Sequence, residues 1–225
     1  MGKKKRHHRI HREGRGIIVT LTFLIFAINV PIYLYMSNWI FAITLLLSAT
    51  LLVFVTYFFR NPRRILEVSD SNLLIAPADG RVVVIEPTTE NEYFHDKRLQ
   101  VSIFMTPFNV HANWYPIEGK VLVSEHQDGY HKGAWLPKSS TENERSLVVI
   151  ETPNKVQIAV RQIAGAMARR IVTYAKAGKQ SHRNEHLGFI KFGSRVDMYL
   201  PLDTDIFVVV GEHVKGNETI IGRIN

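Results

Sequence analysis

The chain contains no cysteine, which excludes disulfides, thiolate metal sites and a cysteine nucleophile. It has neither a GxxxxGK[ST] loop nor a GxGxxG run, so nucleotide chemistry lacks a phosphate cradle. The G-x-S-x-G elbow of the serine hydrolases is missing as well. Lys120, Lys132, Lys176 and Lys191 stand in none of the surroundings that a Schiff-base lysine with a phosphate cup would need, which sets pyridoxal phosphate aside. Charge is absent from two long stretches, Gly16–Met36 and Trp39–Phe59.

Each uncharged stretch is 21 residues. At helical rise that length spans roughly 30 Å, the hydrocarbon thickness of a bilayer. Only Ser37 and Asn38 separate the two, which predicts a tight antiparallel pair of transmembrane helices. Tyr33, Tyr35, Trp39, Tyr57, Phe58 and Phe59 cluster near the ends, where amphipathic rings favour the interface. Pro31 is a candidate kink and Asn29 a polar cost in the first helix. A cleaved signal peptide would need a shorter apolar core and a small-residue cleavage site. Against a pair of buried core helices, the unbroken apolarity around the whole helix surface argues for lipid.

What charge there is lies unevenly. The chain totals 28 Lys/Arg against 20 Asp/Glu, but residues 1–64 hold ten of the bases and one acid, Glu13. The remainder is close to neutral, and a nucleic-acid binder would carry its basic face there; no nucleic-acid partner is expected. Lys3, Lys4, Lys5, Arg6, Arg9, Arg12 and Arg15 flank one end of the hairpin, and Arg60, Arg63 and Arg64 the other. The positive-inside rule therefore predicts that both ends, and the globular part with them, lie on the cytoplasmic side of the cell membrane, with the basic flanks drawn to anionic headgroups.

Beyond "FFRNPRR" the pattern changes to short β-rich runs: "GRVVVIEP", "LQVSIFMTP", "GKVLVSEH", "RSLVVIETP", "VQIAVRQIAG", "GFIKFGSRVDMYLP" and "DIFVVVGEHV". Turn signals such as Asp79-Gly80, Glu118-Gly119 and Pro153-Asn154 separate them. Only "AGAMARRIVTYAKAG" has helical spacing, against its own β-branched residues. The expected fold is α+β: a predominantly β domain preceded by a two-helix transmembrane hairpin. The boundaries are 1–15 for a basic tail, 16–59 for the hairpin and 60–225 for the β-rich domain.

Three residues stand out for chemistry. Ser194 follows Gly193 inside what reads as a half-buried strand, where glycine packs nothing and weakens pairing; a bulge or tight hairpin is the simplest account. His111 lies in "FMTPFNVHANWYP" directly after an apolar strand, and an ordinary interior histidine would look the same. Asp79 in "IAPADGRVVV" reads first as a turn residue. Together they offer an acid to orient an imidazole, a base, and a hydroxyl to activate. His182 and His186 sit four apart with Glu185 between them, but "KQSHRNEHLG" reads as a polar loop rather than a metal-binding helix face.

The segments "FFRNPRR", "APADGRVVVIE", "ENEYFHD", "FMTPFNVHANWYP", "WLPKSSTENERS", "RQIAGAMARRIVTYAKAG" and "GFIKFGSRVDMYLP", in this order and behind an apolar hairpin, resemble the short, membrane-anchored bacterial phosphatidylserine decarboxylases. The resemblance implies a proenzyme that cuts itself between Gly193 and Ser194. A β chain, 1–193, and an α chain, 194–225, of 32 residues would then form a heterodimer. Ser194 would become a covalent pyruvoyl group, the electron sink that decarboxylation requires and no ordinary side chain supplies. His111 oriented by Asp79 is the implied base for cutting, and His111 the first candidate for returning a proton to the product. The substrate would be phosphatidylserine, drawn from the bilayer, and the product phosphatidylethanolamine, a step of phospholipid biosynthesis.

Two positions depart from the family's pattern. Longer members carry a second histidine three residues after the first, where this chain has Trp114; Lys191 stands where relatives often have arginine. Two alternatives remain open from sequence. One is the same chemistry on another serine-headed lipid, such as an ether lipid. The other is a membrane-tethered β-rich adaptor in which Gly193–Ser194 is only a bulge. Arg169, Arg170 and Arg195 are candidates to meet a lipid phosphate or, equally, surface acids.

Overall fold

The computed structural model describes residues 9–129, 143–165, 170–191 and 194–225, and the chain divides into two compact units, 1–63 and 64–225. The first unit holds helices α1 (Arg12–Tyr35) and α2 (Asn38–Phe58). Both are long and apolar enough to cross a membrane, and Phe23, Phe26, Leu46 and Val53 point outward. Outward apolar side chains have no aqueous rationale on an isolated hairpin. α1 continues through Pro31. Asn29 Nδ2 donates across the pair to Ser48 Oγ and within α1 to Ile25 O, each at 2.9 Å. The open ends of the pair are tied by two backbone bonds, His11 N to Phe59 O at 2.8 Å and Asn61 N to Arg9 O at 2.7 Å.

The second unit is almost wholly β: β1 (Leu73–Ile75), β2 (Gly80–Glu90), β3 (Asp96–Met105), β4 (Ala112–Trp114), β5 (Gly119–Gln127), β6 (Arg145–Glu151), β7 (Gln157–Ala164), β8 (Arg170–Thr173), β9 (Gln180–Ser181), β10 (His186–Lys191), β11 (Ser194–Leu200), β12 (Asp205–Ile206), β13 (His213–Val214) and β14 (Ile220–Arg223). An eight-stranded antiparallel sheet runs β13-β2-β3-β11-β7-β6-β5-β9, beside three-stranded sheets β4-β10-β8 and β1-β14-β12. The α+β class with a helical hairpin is the one the residue pattern predicts. Within 164–178, where helical spacing stands against β-branched residues, residues 170–173 form β8, paired with β10, while 166–169 lie outside the described residues. Ile171 and Val172 suit a strand, and pairing decides the matter where helical spacing alone does not.

One face of the large sheet carries the main core, in which Ile103, Val121, Ile150, Val160 and Met198 are fully buried. The opposite face holds a smaller cluster of Leu147, Val149, Ala159 and Tyr199 under Tyr93 and Phe94. That second face also buries charge. Arg161 donates to Glu90 Oε1 at 2.6 Å and to Tyr199 Oη at 2.5 Å, and lies 3.0 Å from Glu92 Oε2. Glu90 also accepts from the backbone N–H groups of Glu92, Tyr93 and Phe94 at 2.8–3.0 Å. Burial pushes the Glu90 pKa up, but those N–H groups and the Arg161 charge outweigh it and hold the carboxyl below its ordinary 4.5. Burial, then the charge of Asp197, raises the Tyr199 phenol.

Removing one member of a buried pair leaves the other uncompensated. Arg161→Met should therefore destabilise the fold by about 3–5 kcal/mol, read from urea unfolding of the full chain in detergent; wild-type stability would show that the pair is not holding this face. Because the folded Glu90 pKa is depressed, its contribution is fully present above about pH 4.5 and lost as pH falls through the folded value. Glu90→Gln should flatten that acid limb of the stability profile.

Candidate active site

The Gly193–Ser194 bond does not interrupt one strand. β10 belongs to the β4-β10-β8 sheet and β11 to the eight-stranded sheet, so the bond lies where the chain passes between them; Phe192 and Gly193 themselves are outside the described residues. Ser194 is the first residue of β11, fully buried, opposite Met105 on one side and Ala164 on the other. Its Oγ–H points at Met105 Sδ, 3.3 Å away. All seven residues of β11 are buried, so the half-buried strand expected from alternation is instead covered on both faces. The polar positions in it are paired: Arg195 donates to Asp197 through Nε at 2.8 Å and a terminal nitrogen at 3.1 Å. Arg195 thus binds an acid inside the fold, Arg170 is exposed, and Arg169 lies outside the described residues.

His111 is fully buried in the segment that connects β3 to β4. Its Nδ1 lies 3.0 Å from Asn109 O, and its carbonyl accepts from Ile190 N at 3.2 Å. Ile190 is four residues before Ser194, and Met105, the residue under Ser194 Oγ, is six before His111. The sheet register thus brings the two segments together at one end of β3 and β11.

Asp79 serves the same segment in a different way from that expected. Its carboxylate accepts from both terminal nitrogens of Arg64, from Gly216 N at 2.9 Å and from Val110 N at 3.3 Å. Its contact with the histidine segment is thus through the backbone of Val110, one residue from His111, rather than through the imidazole. Gly80, the residue after it, is required by close approach: a Cβ there would lie 2.2 Å from Phe104 O.

Several contributors are not evident from residue pattern. Arg64, expected to flank the membrane, is instead enclosed beside Asp79, with its guanidinium also donating to Gly216 O at 2.8 Å and pairing with Glu218 at 3.1 Å. It sits 5.2 Å from the centre of the Trp114 ring, which His186 meets edge-on at 5.2 Å. Trp114, at the place of the family's second histidine, is therefore a buried packing element.

A second buried group is a chain of amides. Ser146 Oγ and Thr173 Oγ1 donate to Gln162 Oε1 at 2.8 and 3.0 Å, and Gln162 Nε2 donates to Asn113 Oδ1 at 2.7 Å. In this arrangement Asn113 Nδ2 faces Met105 Sδ at 3.7 Å. The thioether beneath Ser194 is thus held from below by an amide donor. Among the described residues no three His, Asp or Glu side chains gather as a metal site.

The arrangement offers a buried hydroxyl at a strand terminus and a buried imidazole in the segment that follows the facing strand. Comparison with known proteins bears on what it is used for. The profile of the phosphatidylserine decarboxylase family matches residues 51–222. A phosphatidylserine decarboxylase proenzyme from Bacteroides fragilis is 52% identical over 223 residues, covering 99% of this chain and 98% of that protein. Proteins of the same name from Phocaeicola vulgatus (50% identical, 99% and 98% covered) and Cytophaga hutchinsonii (46%, 95% and 98%) align as fully. With a match of this extent, the chain belongs to the phosphatidylserine decarboxylase family.

Proposed function

We propose that the chain is a self-cleaving proenzyme anchored in the cell membrane through residues 16–59, with its catalytic domain, 60–225, on the cytoplasmic side. It cuts between Gly193 and Ser194 and then decarboxylates phosphatidylserine to phosphatidylethanolamine for phospholipid biosynthesis. The observation that carries this reading is the placement of Ser194: a fully buried hydroxyl on the first residue of a central strand, at the passage between two sheets.

In the cutting step Ser194 Oγ attacks the Gly193 carbonyl, the amide becomes an ester, and the base takes the hydroxyl proton. Elimination frees the carboxyl end of the β chain, 1–193, and hydrolysis of the resulting dehydroalanine releases ammonia. A serine hydroxyl needs a base near neutral pH, and the role falls to His111, fully buried in the segment that follows β3. Asp79 with Arg64 fixes the backbone at Val110 and so positions His111.

The surroundings of residue 194 fit a pyruvoyl group. The position is enclosed between Met105 and Ala164 with no solvent exposure, which would shield a ketone from water. When formed from Ser194, that group supplies the electron sink for loss of CO2. The chain's own residues then have two tasks: the closed strand environment excludes water, and His111 holds the proton returned to the α carbon of the product.

Intact-mass measurement tests this directly. Purified wild-type protein should give two chains, the smaller beginning with a blocked residue 194 and spanning 194–225, whereas Ser194→Ala should give one uncut chain without activity. Cleavage of that variant at the same bond would overturn the site. His111→Ala should abolish or greatly slow cutting. Asp79→Asn and Arg64→Ala should slow it similarly to each other, by an amount on the order of tenfold or more, since a buried pair fails when either member goes. Wild-type cutting rates in all three would remove them from the mechanism.

A further inference from the structure

The globular unit hides most of its apolar side chains, yet a few large ones near one end of the main sheet are open. Phe108, Val209 and Val210 are 65%, 67% and 58% exposed, and Phe207 beside them 57%. Their placement follows from register. Phe108 lies in the turn three residues beyond Met105, the residue opposite Ser194. The turn carrying Val209 and Val210 is clamped to β2 next to that end. Gly211 N donates to Val82 O at 2.8 Å, Arg81 Nε donates to Gly211 O at 2.8 Å, and Arg81 pairs with Phe104. β2 is two strand spacings from β11, about 10 Å. The open apolar turns therefore flank the end of the sheet at which residue 194 begins its strand.

Cations lie toward the same end of the sheet. Arg81, Arg170 and Lys215 are exposed, and Arg170 pairs in register with Lys191, three residues before Ser194. Of the acids nearby, Glu212 accepts from Val209 N at 3.1 Å and keeps its charge. Glu218 pairs with Arg64 at 3.1 Å and with Lys215 at 3.9 Å, which leaves Arg81 and Arg170 as the cations facing outward. Aliphatic and aromatic tips at an end that also carries basic side chains match an anionic lipid interface, where apolar groups enter the acyl boundary and cations meet headgroups. Chain length agrees. Five residues, 59–63, separate the end of α2 from Arg64, and such a stretch extends roughly 20 Å at most.

We propose that Phe108, Val209 and Val210, with Phe207, form a surface on which the catalytic unit seats against an anionic bilayer, so that a lipid headgroup reaches residue 194 from that end of the sheet. This rests on the lipid substrate proposed above.

The absence of native cysteine allows a unique label. Phe108→Cys and Val209→Cys, each carrying an environment-sensitive fluorophore, are compared with Asn154→Cys. Asn154 lies in the exposed β6–β7 turn, at the far end of β7 from its Ser194 pairing. In the full chain reconstituted into phosphatidylserine-containing vesicles, labels at 108 and 209 should shift to the blue and be quenched by nitroxide on lipid acyl chains; the label at 154 should do neither. Equal, water-like emission at all three sites overturns the proposal. So does a blue shift without lipid quenching, which would mark a protein partner or a second copy.

The kinetic arm uses Phe108→Ser combined with Val209→Ser. Its kcat/KM on vesicle phosphatidylserine should fall about tenfold while that on monomeric short-chain phosphatidylserine is kept, because only the bilayer needs seating; equal losses on both count against the proposal. If the wild type releases no CO2 from either lipid, the decarboxylase reading fails, and lipid quenching still decides the surface.

Discussion

The Asp79 carboxylate needs a full set of donors, and meeting that need organises the site. A carboxylate removed from water is costly unless every lone pair finds a partner. Here the partners come from three distant parts of the chain: Arg64 at the start of the globular unit, Val110 beside His111, and Gly216 nine residues before Asn225. A pair of this kind contributes little net stability compared with an apolar replacement. What it contributes is placement, because the three segments meet only in one arrangement. Packing reinforces this: a Cβ at position 216 would fall 2.6 Å from the Trp114 ring, so the loop that supplies the Gly216 N–H is pressed directly onto the indole.

A second layer of order lies beneath Ser194. Met105 meets the serine from the neighbouring strand, and the Asn113 amide, itself bonded to Gln162, meets Met105. Gly188 has to be glycine for this packing, since a Cβ there would come within 2.6 Å of Gln162 Nε2 and 2.5 Å of Val172 O. Two sheets are thereby held in close register around the residue at which the chain crosses from one to the other.

Much of this architecture is legible in the residues, and the failures share one physical cause. The uncharged runs show α1 and α2 because an unbroken apolar surface has few other uses. Alternation shows β2, β3, β5, β6 and β7 for a similar reason. β11 is misread as half-buried because Ser194, Arg195 and Asp197 look like solvent-facing residues, whereas they are enclosed with partners. β8 is obscured by helical spacing that its pairing with β10 overrides. Asp79, His111 and Ser194 can be picked out as chemically suggestive, and the family resemblance assigns their roles. That Asp79 contacts Arg64, the Val110 backbone and the Gly216 backbone is not readable, because those contacts span 15, 31 and 137 positions. Arg64 was hidden by a sufficient simpler explanation, a base next to an apolar helix.

β11 is hydrogen-bonded on both sides, to β3 along all seven residues and to β7 along six. A strand so placed is a keystone: its neighbours on either flank lose their partner if it leaves. Severing the backbone ahead of it would free no peptide, because pulling out the 32-residue tail amounts to dismantling the sheet. Scission and dissociation are decoupled by topology, and two polypeptides would behave as a single cooperative body.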